Sequence, residues 1–151
     1  MKVLALVDGE HYPPVTRWAI ASARAQGHDV LAVLLVGGVE KLAAGRVPDL
    51  GVPVRLPVTG VAEALAAAID ELRPEGVLDL SDEPVLGYRE RMELAAVALA
   101  RGVPYVGADF RLDPPIAGSP LPVPTLAVIG TGKRTGKTAI AGEVARVAAE
   151  L

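Results

Sequence analysis

Residues 125–138 contain the residue types that bind nucleotide phosphates. An apolar run leads into a glycine-rich segment, and a segment with helical periodicity follows. Glycines let backbone amides turn towards phosphate oxygens, and a helix start adds the positive end of its dipole. Lys137 is therefore the predicted catalytic residue, placed between the β- and γ-phosphates, and the Thr138 hydroxyl is the predicted Mg²⁺ ligand. The predicted nucleotide-binding residues are Gly130, Thr131, Gly132, Lys133, Arg134, Thr135, Gly136, Lys137 and Thr138.

This loop departs at one position from the common phosphate-binding pattern G-x-x-x-x-G-K-[ST]. Counting back from Gly136, Thr131 occupies the position where the pattern has its first glycine. Gly130 lies one residue earlier. The spelling G-T-x-x-x-x-G-K-T resembles the variant found in dethiobiotin synthetase and its relatives, which are P-loop enzymes that activate a small acid with ATP. The alternative interpretation is an ordinary glycine-rich turn between a strand and a helix.

A second group of polar residues follows the predicted strands of the first 110 residues. Ligands of open parallel sheets bind beyond the carboxyl ends of the strands, so we expect a small-molecule or metal-assisted site there. Its carboxylates would serve Mg²⁺ or proton transfer, and a histidine or arginine would meet anionic groups. The alternative is that the Asp and Ser residues only cap helices, and Arg89 and Arg91 also fit a solvated helix face. The predicted substrate-binding residues are Asp8, Glu10, His11, Ser81, Asp82, Glu83, Arg89 and Asp109.

Strands and helices alternate through this first part of the chain. Apolar runs predict strands at 2–7, 29–36, 52–58, 77–80 and 104–108, and prolines place the third of them at a sheet edge. Helices are expected from 13 to 26, weakly around 39–44, over 61–72 and over 88–101. The predicted fold class is α/β, an open parallel sheet with helices on both faces, Rossmann-like or flavodoxin-like. The turn after the first strand lacks the G-x-G-x-x-G fingerprint, which argues against NAD.

The inner faces of the helices follow from their apolar residues. Val15, Trp18, Ala19, Ser22 and Ala23 mark the predicted face of the first helix. The last two helices of the first 110 residues are expected to bury Val61, Leu65, Ala68, Ile69 and Leu72, and Met92, Ala95, Ala96 and Leu99.

Composition changes sharply after residue 110. We predict a Rossmann-like domain over 1–110, a proline-rich linker over 111–124, and over 125–151 a P-loop strand and helix, the first βα unit of an incomplete NTPase domain. One strand and one helix cannot form a core of their own. We therefore expect the N-terminal piece of a longer protein, inactive in isolation; the alternative is that the last unit docks on the first domain or on a partner chain.

Composition also bounds the class of partner. The chain has 151 residues, 51% of them hydrophobic, no cysteine and a net charge of −3. Disulfides and thiol catalysis are excluded, and the absence of a clustered basic face argues against nucleic acid. No apolar run approaches the roughly 20 residues that span a bilayer, so we expect a cytoplasmic protein without a membrane segment. The sequence neither requires nor excludes a homodimer.

Four stretches together resemble a known family. Residues 7–15 (VDGEHYPPV), 79–89 (DLSDEPVLGYR), 105–110 (YVGADF) and 129–138 (IGTGKRTGKT) resemble the N-terminal third of cyclic 2,3-diphosphoglycerate synthetase. The resemblance implies an ATP-dependent ligase that closes the small phosphorylated metabolite 2,3-bisphosphoglycerate into an intramolecular phosphoanhydride, releasing ADP and phosphate, with ATP and Mg²⁺ as cofactors. Two other interpretations remain: a different P-loop ligase or GTPase-like protein, and a non-catalytic ligand-binding or dimerisation domain.

Overall fold

The computed structural model describes residues 1–38, 47–116 and 118–150. The chain divides into two compact units, Met1–Ile116 and Ala117–Leu151. The weak helix predicted around residues 39–44 lies outside the described residues. Within the described ranges, no helix combines the length and the apolar character that crossing a bilayer requires.

The first unit is built on one six-stranded sheet. Its strands are β1 (Lys2–Val7), β2 (Asp29–Leu35), β3 (Val54–Arg55), β4 (Gly76–Asp79), β5 (Tyr105–Val106) and β6 (Arg111–Leu112). Its helices are α1 (Pro13–Ala25), α2 (Val61–Leu72) and α3 (Tyr88–Ala100). The strand order is β3-β2-β1-β4-β5-β6, and neighbouring strands are parallel except for β5 and β6. The predicted α/β class with an open sheet is confirmed, and the sheet, which was predicted to be parallel, is parallel except for the pair of β5 and β6.

Both faces of the sheet are covered, because alternate residues of β1 point into different clusters. Leu4 and Leu6 pack with buried side chains of α2 and α3. Val3, Ala5 and Val7 pack with Ile20 and Ala23 of α1. A strand that is buried on both faces must be apolar throughout, which is why β1 and β2 are continuous apolar runs.

The inner faces of two helices differ from the predicted ones. On α1 the buried residues are Thr16, Ile20 and Ala23, whereas Trp18 is 72% exposed, so only Ala23 was predicted correctly. On α3 the buried residues are Leu94, Ala95 and Ala98. On α2 the buried residues are Leu65, Ala68 and Ile69, as predicted. The apolar stripe of α2 is well defined, whereas α1 carries large apolar residues on its exposed side too, and periodicity alone cannot then choose the buried face.

The two edges of the sheet show one confirmed prediction and one difference. β3 is an edge strand, as its flanking prolines predicted. The other edge is β6, which pairs antiparallel with β5 through Tyr105 opposite Leu112 and Val106 opposite Arg111. Residues 111 and 112 were predicted to begin the linker, but they form this strand instead. Two paired residues carry too short a pattern to be distinguished from a linker by sequence.

Residues 118–150 of the second unit form one helix, α4 (Lys137–Ala148). The strand predicted before the glycine-rich loop is not formed, since residues 125–130 have no strand assignment among the described residues. A strand requires a neighbour that accepts and donates its backbone hydrogen bonds, and no described residue of this unit provides one. Helix α4 forms all the same, because its hydrogen bonds lie within the segment.

The packing of α2 gives a direct test of the fold. Leu65 is fully buried in the cluster that includes Leu4 and Leu6, so Leu65→Ala should lower the free energy of unfolding by about 2–5 kcal/mol. Val58 is 94% exposed, and Val58→Ala should change the free energy of unfolding by less than about 0.5 kcal/mol. Urea unfolding followed by far-ultraviolet circular dichroism measures both. Equal losses for the two variants would contradict this placement of α2.

Candidate functional site

The candidate site lies at the carboxyl edge of the sheet, between β1 and β4. These two strands pair in parallel, with Leu6 opposite Asp79. After β1 the chain turns into α1 on one face of the sheet, and after β4 it continues to α3 on the other face. Such a switch point between diverging connections is where open α/β sheets bind ligands.

Asp8 is the central acceptor of the turn after β1. It is 3% exposed. Its Oδ1 accepts hydrogen bonds from the amides of Glu10 at 3.1 Å and His11 at 3.3 Å, and from Nδ1 of the His11 ring at 2.7 Å. Its Oδ2 accepts a hydrogen bond from the Asp82 amide at 3.1 Å. One buried carboxylate therefore holds together the turns that follow β1 and β4.

These contacts set the charge state of Asp8. Burial by itself raises the pKa of a carboxyl, but the hydrogen bonds from His11 and the Asp82 amide, with the nearby His11 charge, outweigh it. The pKa of Asp8 consequently lies below its ordinary value. The carboxylate is ionised at neutral pH and serves as a fixed hydrogen-bond acceptor.

His11 is the exposed partner in this pair. Its side chain is 42% exposed, whereas that of Asp8 is 1% exposed. The bond through Nδ1 fixes the ring orientation and leaves Nε2 for a ligand or a proton. Beside the ring lies a small cavity of about 80 Å³, lined by Val7, Asp8, His11, Val15, Thr16, Ala19 and Leu80.

The end of β4 holds a second buried carboxylate, Asp79, which is 6% exposed. Its Oδ1 accepts hydrogen bonds from the Ser81 amide at 3.0 Å and from the Ser81 hydroxyl. Its Oδ2 accepts bonds from Nε of Arg91 and from the Tyr105 hydroxyl, both at 2.7 Å. Sequence reasoning missed Asp79, Arg91 and Tyr105 as parts of one network. The available signal was an aspartate inside an apolar strand, which needs donors from elsewhere in the fold.

The charges of this network reinforce one another. Desolvation lowers the pKa of Arg91, but its hydrogen bond to Asp79 and the surrounding charges raise it by more. The pKa of Arg91 therefore lies above its ordinary value. Burial and the neighbouring Asp79 carboxylate raise the pKa of Tyr105 far above its ordinary value. Tyr105 is therefore a neutral donor, and Arg91 is the cation that compensates Asp79.

The structure brings together most of the predicted substrate-binding residues and leaves two apart. The residues in the two turns around Asp8 are Asp8, Glu10, His11, Ser81, Asp82 and Glu83. Arg89 has an 86% exposed side chain and pairs along α3 with Glu93 at 3.2 Å. Asp109 is exposed in the turn between β5 and β6, and β4 and β5 separate it from β1.

The phosphate-binding loop of the second unit has a defined local geometry. Gly136 caps α4 with φ of 80°, in the left-handed region that favours glycine. Lys137 bends back over the loop, and its Nζ donates a hydrogen bond to the Gly132 carbonyl at 2.5 Å. A Cβ on Gly130 would lie 2.6 Å from Oγ1 of Thr135 and 2.7 Å from the Lys137 side chain, so any larger residue there would displace these two side chains. Thr131 occupies the position where the common pattern has glycine. Its backbone is outside the left-handed region, so threonine is accommodated there without backbone strain.

Among the described residues, no three histidine, aspartate or glutamate side chains are grouped as ligands for a metal ion. Four carboxylates of the β1–β4 edge fall into two groups. Asp8 and Asp79 are saturated by protein donors, whereas Asp82 and Glu83 are exposed.

Comparison with known proteins identifies relatives of the whole chain. The family model for the N-terminal domain of cyclic 2,3-diphosphoglycerate synthetase matches residues 2–113. A cyclic 2,3-diphosphoglycerate synthetase of Rubrobacter xylanophilus is 48% identical over 148 residues, which is 97% of this chain and 33% of the relative.

Archaeal relatives show the same coverage. Proteins of that name from Thermococcus onnurineus and Methanothermobacter thermautotrophicus are 44% and 40% identical, over 98% and 96% of this chain and 33% of their own length. The chain thus spans about a third of the curated relatives that it matches. On this evidence the chain belongs to the cyclic 2,3-diphosphoglycerate synthetase family.

Proposed function

We propose that this chain is the N-terminal part of an ATP-dependent ligase that converts 2,3-bisphosphoglycerate and ATP into cyclic 2,3-diphosphoglycerate, ADP and phosphate. The observation that carries the proposal is the extent of the match to the curated relatives. It covers nearly the whole chain, so the polar edge of the first unit and the glycine-rich loop both lie within the matched region. Because the chain spans about a third of its relatives, the complete reaction is proposed for the longer protein, and this chain supplies binding groups for it.

The loop of the second unit fits the phosphates of ATP. Residues 131–138 are exposed, and α4 begins at Lys137, so backbone amides and a helix start are both accessible. The present bond from Lys137 to the neutral Gly132 carbonyl can be exchanged for a stronger bond to an ionised phosphate oxygen. Thr138 would hold Mg²⁺ through its hydroxyl. When bound, ATP supplies the phosphoryl group, and Mg²⁺ offsets charge on its phosphates.

The edge between β1 and β4 is proposed to bind the phosphorylated acid. Asp8 is buried and occupied by donors, so its contribution is to hold His11 and the Asp82 amide in place. Among the exposed groups, the His11 ring and the turn around Asp82 can meet a ligand, and Ser81 lies half-buried beside them. Nε2 of His11 can donate a hydrogen bond to a phosphate oxygen or carry a proton, because Nδ1 is already engaged.

Calorimetric titration of the chain tests this function. We expect binding of 2,3-bisphosphoglycerate in the presence of Mg²⁺, and binding of ATP with Mg²⁺ in a separate titration. ATP binding without any response to 2,3-bisphosphoglycerate would favour a different P-loop ligase or a GTPase-like protein. No heat with either ligand would contradict the proposal that this chain carries the binding groups for them.

Lys137 gives a sharper test of the nucleotide site. Lys137→Ala should weaken ATP binding by at least about tenfold, because a charge-assisted bond to phosphate is worth about 1.5–3 kcal/mol. Lys133→Ala removes an equal charge from the same loop and should have a smaller effect. Circular dichroism should show the same helix content in both variants, since Lys137 is exposed and α4 makes its own hydrogen bonds. Unchanged ATP affinity in Lys137→Ala would remove the basis for a phosphate-binding loop.

The buried Asp8 predicts a dependence of stability on pH. Its pKa is lowered from the ordinary 3.8, so the carboxylate stabilises the fold above that pH, and this stabilisation is lost as the pH falls through the lower folded-state pKa. Asp8→Asn places an amide group among donors and should cost about 1–3 kcal/mol at pH 7. The stability difference from wild type should shrink progressively below about pH 4.

Urea unfolding at a series of pH values from 7 to 2 measures this difference. Asp109→Asn removes an exposed carboxyl and serves as the control for a change of net charge. If Asp8→Asn and wild type lost stability in parallel over the whole range, the described role of Asp8 would be wrong.

A further inference from the structure

We propose that Arg91 is the residue of the β1–β4 edge that contacts a phosphate group of the ligand, and that Glu83 occupies its place when no ligand is bound. This inference rests on the proposed function in one respect, namely that the edge binds a phosphorylated compound. It adds the identity of the contacting cation and of the carboxylate that competes with the ligand.

The guanidinium of Arg91 is anchored on two sides. Its Nε donates to Oδ2 of Asp79 at 2.7 Å, and its Nη2 donates to the Ser81 carbonyl at 3.3 Å. The Tyr105 hydroxyl donates to the same Asp79 oxygen at 2.7 Å and so fixes the carboxylate itself. The Arg91 side chain is only 17% exposed. A planar group held at two of its three nitrogens cannot rotate freely, so the direction of the third nitrogen is set in advance.

The third nitrogen, Nη1, faces the turn after β4. Its described ion pair is with Oε1 of Glu83 at 4.0 Å, which exceeds the length of a hydrogen bond. Glu83 is 68% exposed, and ion pairs of that kind contribute little because water competes for both groups. An incoming phosphate can therefore replace this carboxylate at small cost, and in return it gains a charge-assisted bond to a fixed donor.

Arg89 was the arginine that the sequence suggested for substrate binding, and it has none of these properties. Its side chain is 86% exposed, and its described ion pair is with Glu93 of the same helix. Holding such a side chain against a ligand costs rotamer entropy that the anchored Arg91 has already lost on folding. Two residues apart on α3, the two arginines thus differ in preorganisation, and the geometry favours Arg91.

Charge at the edge also requires a cation in this position. Glu10, Asp82 and Glu83 carry their carboxylates on the two turns, and Asp82 and Glu83 are exposed. Like charges at close range oppose the binding of a dianionic phosphate. Arg91 lies beside Glu83, and its charge, although shared with Asp79, offsets part of this repulsion near Nη1. The site would accordingly select phosphate dianions over neutral hydroxy compounds.

The test compares two conservative arginine variants and two charge variants of the chain. Arg91→Lys keeps the charge but loses the fork of donors, and it should weaken binding of 2,3-bisphosphoglycerate by about tenfold or more. Arg89→Lys is the matched control on the same helix and should bind as wild type. Glu83→Gln should tighten binding by about twofold to fivefold, because the competing carboxylate is removed. Glu93→Gln makes the same charge change beside Arg89 and should not tighten binding of 2,3-bisphosphoglycerate.

Titration calorimetry with 2,3-bisphosphoglycerate and with pyrophosphate separates the outcomes. If all variants bind 2,3-bisphosphoglycerate equally, the role of Arg91 is wrong and the proposed substrate stands. If wild type binds only pyrophosphate and Arg91→Lys weakens that binding, the role of Arg91 stands and the proposed substrate is wrong. If wild type binds neither probe, both are wrong.

Folding of the variants is checked separately. Arg91→Lys alters a buried pair, so its circular dichroism and thermal midpoint are compared with those of wild type. Glu83 is exposed, and Glu83→Gln should fold as wild type does. A structural role for Arg91 alone predicts no gain of affinity in Glu83→Gln, and that result would overturn the inference even if Arg91→Lys did not fold.

Discussion

Two buried carboxylates at the ends of neighbouring strands constrain the architecture of the first unit. Asp8 is 3% exposed and Asp79 is 6% exposed. Burying an ionised carboxylate is costly unless donors surround it. The turn after β1 folds so that its amides and the His11 ring reach Asp8, and the turn after β4 folds so that Ser81 reaches Asp79. The shape of the candidate site follows from this demand for donors.

The parallel pairing of β1 and β4 turns the two local arrangements into one site. Both strands end at the same edge, and the Asp82 amide reaches across to Asp8. Arg91 comes from α3 and Tyr105 from β5, so the network joins three elements that follow one another in the chain. An apolar cluster of similar volume would stabilise the fold at least as well. What the charged groups add is the geometry that they impose on the turn from Asp79 to Glu83.

The parts of this structure that were predictable from sequence are those set by local patterns. Continuous apolar runs located β1 and β2, and the glycine-rich motif located the loop and the start of α4, because these depend on neighbouring residues. The pairing of Asp79 with Arg91 and with Tyr105 joins residues 12 and 26 positions apart, which no local spacing indicates. The strand expected at residues 125–129 depended on a partner strand that the described part of its unit does not contain. Local chemistry was thus predictable, whereas contacts supplied by the fold were not.

Charge distribution gives the two candidate sites different requirements. Residues 130–138 contain Lys133, Arg134 and Lys137 and no acidic residue, so the loop can meet a polyanion with its own charges. The β1–β4 edge instead presents exposed carboxylates, including Asp82 and Glu83. These carboxylates would repel a phosphorylated ligand unless a fixed cation faced it. Two unit charges about 4 Å apart near a protein surface interact by about 4 kcal/mol. Within this edge Asp79 holds Arg91 in place, so under the proposed function the buried carboxylate would act on a ligand only through the guanidinium that it positions.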